Sequence, residues 1–244
     1  MPGQLAVVVA TIGISCVIFL ERRRRRLASA LVQRTAETEA GAHVSLHGPK
    51  IPGSRKFLGG SPNGDRTALL GIPANHRYVV KLDLTTGEVT TLPTPCPRGK
   101  FKWLRGVLAP DGSIFCIPAC ADCVLRIHAD GKIDALAHDV VAAAQADGPG
   151  EWLWHGGSLG TDGNVYAIPA NASRVLKIEP VTGRVSLIGP LLHPGLTNRW
   201  YGGIKAADGA IWGVPYNAPS ALKIVPETGE VLEVGRWPLY PWSP

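Results

Sequence analysis

The chain has 244 residues and a formal net charge of +6, with 45% hydrophobic and 18% charged side chains. That is long enough for one sizeable core plus an extension, and too apolar for a disordered or low-complexity protein. Residues 1–50 hold seven basic and three acidic side chains, five of the basic ones in the single run Arg22 to Arg26, so the basic balance does not mark a nucleic-acid-binding surface.

The first element in chain order is the apolar run from Leu5 to Leu20, sixteen residues without a charge, stopped by Glu21 and the five arginines. It is slightly short of the ~20 residues a spanning helix needs, but Met1 to Gln4 and snorkelling arginines can make up the length. A secretory signal carries its positive charge before the apolar core, and here the charge follows. Residues 1–26 are therefore expected to form an uncleaved, single-pass anchor helix with an arginine stop. The rest of the chain would lie on the cytosolic, stromal or matrix side. A buried core helix is the competing reading. Residues 27–56, rich in Ala, Glu, Thr and Gly, read as a short helix and a linker.

From residue 57 to 235 one motif is written four times. Trp-x-x-Gly-x-x-x-x-Asp-Gly leads into an apolar strand ending in Ile-Pro, then Val-Leu-Lys-Ile, then Thr-Gly-x-Val. Pro73, Pro118, Pro169 and Pro215 stand 45, 51 and 46 residues apart, each followed eight positions later by Lys81, Arg126, Lys177 or Lys223. Trp103, Trp154 and Trp200 each precede the aspartate of their Asp-Gly by eight residues, while the first copy has Phe57 and Asn63-Gly64. A period in this range means an array of supersecondary units.

Within a unit, short β-branched and aromatic runs are cut by Gly, Pro, Asp and Thr, a strand-and-turn pattern without a long helical period. In the third unit the spacing predicts strands near Trp154–Leu159, Val165–Ile168, Arg174–Ile178 and Val185–Ile188. Asp-Gly and Thr-Gly suit tight hairpins, and the proline suits a strand end where a lost N–H costs little. Four antiparallel strands in about 45 residues make one β-propeller blade. The expected fold is therefore all-β, a four-bladed propeller that is either a closed ring or an open arc, with 236–244 as a tail. The tryptophans read as wedges between blades and the Gly-Gly pairs as the crowded innermost strands.

The phrases Glu179-Pro180-Val181-Thr182-Gly183 and Val225-Pro226-Glu227-Thr228-Gly229, with Leu84-Thr85-Thr86-Gly87 and the Asp-Gly-aromatic strands before them, resemble the blades of the YVTN, virginiamycin B lyase-like and gluconolactonase-like propellers. The resemblance covers 57–235 and implies a propeller. Lyase-like members open a ring through a histidine and bound magnesium, and the gluconolactonases hold a divalent metal with Glu, Asn and Asp. No such set matches here residue by residue.

Candidate sites follow from where the copies agree and where they differ. Asn75, Asn171 and Asn217 recur after the proline and form a polar rim that could bind a ligand; as structural residues they are turn formers. Asn171-Ala172-Ser173 is also a glycosylation sequon. The repeated basic positions read as a solvated outer face. His155 is unique to the third unit, beside the axial glycines, and is the candidate for ligand binding or chemistry; no partner in the sequence completes a catalytic set. Cys116, Cys120 and Cys123 form only half of a zinc pattern, so they read as small buried thiols and no metal site is expected. The leading expectation is a membrane-anchored, non-enzymatic propeller that presents a face to a protein partner or small ligand, without a cofactor. The alternatives are a lyase or lactonase that needs a divalent cation, and an accessory subunit of a membrane complex.

Overall fold

A computed structural model of the chain describes residues 43–148 and 150–236, and the backbone of three short strands nearer the N-terminus. The expected anchor helix falls outside these residues, except for β1 (Val7–Val9) and β2 (Val17–Phe19), which are extended and pair antiparallel. β3 (Thr35–Glu37) and β4 (His43–Ser45) pair likewise, inside the stretch read as a linker. Among the described residues no helix is long and apolar enough to cross a membrane. Residues 1–52 and the hairpin tip 83–89 form one compact unit. At its turn, Asp83 Oδ1 accepts the N–H groups of Thr85 and Thr86 at 2.9 and 2.8 Å, and Gly87 takes a φ of 72°.

The second unit, residues 53–82 and 90–244, carries the repeats. The first sheet is β5 (Phe57–Pro62), β6 (Ala68–Pro73), β7 (Tyr78–Asp83) and β8 (Val89–Pro93), in that order. The second is β9 (Trp103–Leu108), β10 (Ile114–Pro118), β11 (Val124–Ile127) and β12 (Ile133–Leu136). A nine-residue helix, α1 (His138–Ala146), leads to the third, β13 (Trp154–Leu159), β14 (Val165–Pro169), β15 (Val175–Ile178) and β16 (Val185–Ile188). The fourth is β17 (Trp200–Lys205), β18 (Ile211–Pro215), β19 (Ala221–Val225) and β20 (Glu230–Val234). Each is a four-stranded antiparallel meander, so the expected blades are present. The helix is a departure from the all-strand reading of the repeats. It buries Val141 and Ala144 in the core between the second and third blades.

The turns are built as their residues dictate. Asp111, Asp162 and Asp208 each accept the N–H two residues on at 3.0 to 3.1 Å, and the glycine between takes a φ near 80°. In the first blade Asn63 closes a longer loop instead, accepting the Ala68 N–H at 2.8 Å, with Arg66 in the left-handed region.

Strand alternation sends one set of side chains to the preceding blade and the other to the next. Leu70, Ile72 and Val79 of the first blade share a core with Trp103, Ile114 and Leu125 of the second. Phe115, Ile117 and Val124 pack with Trp154, Val165 and Leu176, and Tyr166, Ile168 and Val175 with Trp200, Ile211 and Leu222. The three tryptophans are fully buried wedges between blades. Each also ties its own blade together, with Nε1 donating to the carbonyl twenty residues on, of Cys123, Arg174 and Ser220, at 2.8, 3.0 and 2.8 Å.

The inner strands pack in series, β5 on β9, β9 on β13 and β13 on β17. Among the described residues no such packing joins β17 back to β5, so the repeat unit is an open arc with a leading and a trailing face.

Candidate functional site

Blade joining uses a repeated set of contacts. The isoleucine before each proline, Ile72, Ile117 and Ile168, lies against a glycine of the next inner strand, at Gly106, Gly157 and Gly203. A Cβ at Gly203 would come within 2.6 Å of Ile168 Cγ1, so the glycine is a notch for the isoleucine. Next to it the carbonyls of Ala74, Ala119 and Ala170 accept the N–H groups of Lys102, Leu153 and Arg199 at 3.0, 2.8 and 2.9 Å.

The rim asparagines complete this joint. Asn75 Oδ1 accepts the Phe101 N–H at 2.8 Å from the second blade, and its Nδ2 donates to Ser54 O within its own blade at 3.4 Å. Asn171 does the same between the third and fourth blades, accepting from Asn198 N at 2.7 Å and donating to Glu151 O at 2.7 Å. Asn171 is buried, and with both amide atoms engaged it leaves no free amide for a glycan. In the second blade Cys120 takes the asparagine's place, its sulfur meeting the Trp152 N–H. Basic residues ahead of two tryptophans add to the joint. Buried Lys102 reaches back to His76 O at 2.7 Å, and buried Arg199 Nη2 donates to Asn171 O at 2.8 Å and also to Ala172 O. No signal within a single repeat announces the bonds that cross between blades, since their partners lie in different copies.

The fourth blade has Val214 and Tyr216 at these positions, and among the described residues no further blade packs against them. Ile72, Ile117 and Ile168 are 0 to 1% exposed, whereas Val214 in the same position is 48% exposed. Tyr216, where the earlier blades have buried alanine, is 66% exposed. Asn217 Nδ2 still donates inward, to Thr197 O at 2.9 Å, but among the described residues no N–H reaches its Oδ1 or the Tyr216 carbonyl. At the other end of the arc Gly60 occupies the notch position, is exposed, and among the described residues receives no isoleucine.

His155 lies on the inner strand between neighbours from two other blades. Its ring stacks on Tyr201 at 4.1 Å, and Tyr201 stacks on Tyr216 at 4.7 Å. Burial first, and the Arg105 guanidinium second, hold its pKa below the usual imidazole value, and its buried Nδ1 has no hydrogen-bond partner. Among the described residues no group of three His, Cys, Asp or Glu ligand atoms converges around His155. A guanidinium, an imidazole and phenols do not fit a hard, oxygen-ligated cation such as the family resemblance implies. The repeated basic residues are held on their own sheets. Arg126, Lys177 and Lys223 pair across strands with Phe115, Tyr166 and Trp212, with the cation 5.2, 5.9 and 5.2 Å from the ring centroid. Arg126 also bonds Asp111 at 2.7 Å.

Among solved structures, virginiamycin B lyase from Staphylococcus aureus superposes with a TM-score of 0.62 at 14% identity, over 93% of this chain and 68% of that one. A streptogramin B lyase gives 0.60 at 16% identity, over 98% and 74%. A putative gluconolactonase gives 0.50 at 18% identity, over 86% and 71%. The fold is that of the lyase-like propellers. No protein-family model and no curated protein sequence matches the chain. At these identities the likeness extends to the fold alone.

Proposed function

We propose that the chain is a protein-binding scaffold whose open fourth-blade face receives the first blade of a second copy, head to tail. The observation that carries this reading is Val214, exposed where its three counterparts are buried in a glycine notch. Gly60 offers the matching notch at the other end. Two four-bladed arcs would bring eight blades together, within the 4 to 8 that rings of this type hold. In the same reading the Leu5 to Leu20 run and the arginines after it tether the scaffold to a membrane. Deleting residues 1–26 is expected to move the protein from the carbonate-resistant membrane fraction to the soluble one.

Two differently tagged full-length copies, co-expressed and captured through one tag, test the contact. Wild type is expected to bring down wild type, and Val214→Glu to lose that recovery. Val181→Glu, on a turn where the valine is 93% exposed, should keep it. Recovery unchanged by Val214→Glu would overturn the reading.

A lyase- or lactonase-type activity is the second reading, favoured by half-buried His155, whose Nδ1 has no hydrogen bond, beside Arg105. It requires ring opening of a cyclic lactone that disappears in His155→Ala. Turnover equal in that variant and wild type would remove it.

A further inference from the structure

The second blade differs from the others at three places, the connector before it, its β10–β11 turn and the helix after it, and these meet. Cys96 comes from the connector, Asp122 and Cys123 from the turn, and His138 from the first residue of α1. Cys96 Sγ and Cys123 Sγ are 3.2 Å apart, and with a carboxylate oxygen of Asp122 all three ligand atoms lie within 4.8 Å of one another. His138 Nδ1 is 3.6 Å from Asp122 Oδ2. Cys96, Asp122 and His138 line a cleft of about 440 Å³ that Cys120 and Lys102 also border, and Cys123 is buried next to it. Lys102 Nζ is engaged by the His76 carbonyl at 2.7 Å. In the equivalent turn the third blade has Ser173-Arg174 and the fourth Pro219-Ser220, so this donor set belongs to the second blade alone.

We propose that Cys96, Asp122, Cys123 and His138 bind a zinc-type divalent ion. Two thiolates, an imidazole and a carboxylate are the donors that such an ion takes in a tetrahedral, closed, structural site. The two sulfurs need to part only slightly, since Zn–S bonds of about 2.3 Å set tetrahedral sulfurs somewhat under 4 Å apart. Calcium and magnesium are disfavoured by the sulfur ligands. The ion would clip the connector that leaves the first blade to the second blade and to α1. This is the blade whose Asn staple is replaced by Cys120. Sequence reasoning saw only the Cys120-x-x-Cys123 half-pattern, because Cys96 and His138 lie 27 and 15 residues from Cys123 on either side.

The test is cobalt titration of the full chain, reduced and freed of metal, followed by thiolate-to-cobalt charge-transfer absorption, with zinc then added to displace the cobalt. One equivalent per chain is expected, lost in Cys96→Ser and Cys123→Ser and unchanged in Cys120→Ser. Asp122 and His138 are exposed, so Asp122→Asn and His138→Ala leave the fold intact, and both are expected to weaken the signal at least tenfold in cobalt required. Absence of a charge-transfer band in the reduced wild type would overturn the proposal. So would a band that persists in Cys96→Ser, or one insensitive to both Asp122→Asn and His138→Ala.

Discussion

Asparagine at the rim shows how one residue type takes different roles by position. Asn171 satisfies a carbonyl in its own blade and an N–H in the next, whereas Asn217 makes only the first of these bonds. Removing a buried partner leaves the other group unsatisfied, at about 1–3 kcal/mol. Asn171→Ala is therefore expected to lower unfolding free energy by roughly that amount, and exposed Asn217→Ala by less than about 0.5 kcal/mol in the monomer. Urea denaturation of the two variants checks the contrast. His155 gives a second prediction. Burial and the Arg105 charge depress its pKa, so the imidazole is neutral in the fold at neutral pH. The unfolded chain binds that proton first as pH falls below about 6.5, so this residue contributes a loss of stability from there down to its folded pKa and none above. NMR titration of the ring should show a midpoint below that of an unfolded peptide, and Arg105→Met should raise it.

At the scale of strands, the blade was largely legible. The strands expected at Trp154–Leu159 and Val185–Ile188 are found with those limits, and the other two of that blade differ by a residue at one end. The reason is local, since β-branched runs between Asp-Gly and Thr-Gly turns leave the backbone few choices. The helix was not legible. It spans under three turns, follows Ala137 in the left-handed region without a side-chain cap, and takes its stability from Val141 and Ala144 buried between blades. The isoleucine-in-notch joint was also hidden, because its two halves lie in neighbouring repeats. Ile168→Ala should cost about 2–5 kcal/mol by emptying the notch at Gly203. Val214→Ala, at a side chain that is half exposed, should cost under about 0.5 kcal/mol in the monomer. Thermal unfolding of both variants measures the difference.

For the molecule as a whole, the repeat sets how blades are made and joined, and among the described residues no blade fills the joint of the fourth copy. Sequence reasoning left a closed ring and an open arc both standing, since four blades permit either. What separates them is packing between residues more than 140 positions apart, which no repeat spacing encodes. In the proposed function this open face is a socket for the first blade of another copy. Light scattering on the full chain in mild detergent tests it most directly, with the detergent mass subtracted. A protein mass of twice 25.9 kDa is expected, falling to 25.9 kDa in Val214→Glu. A wild-type mass of 25.9 kDa across the accessible concentration range would contradict it.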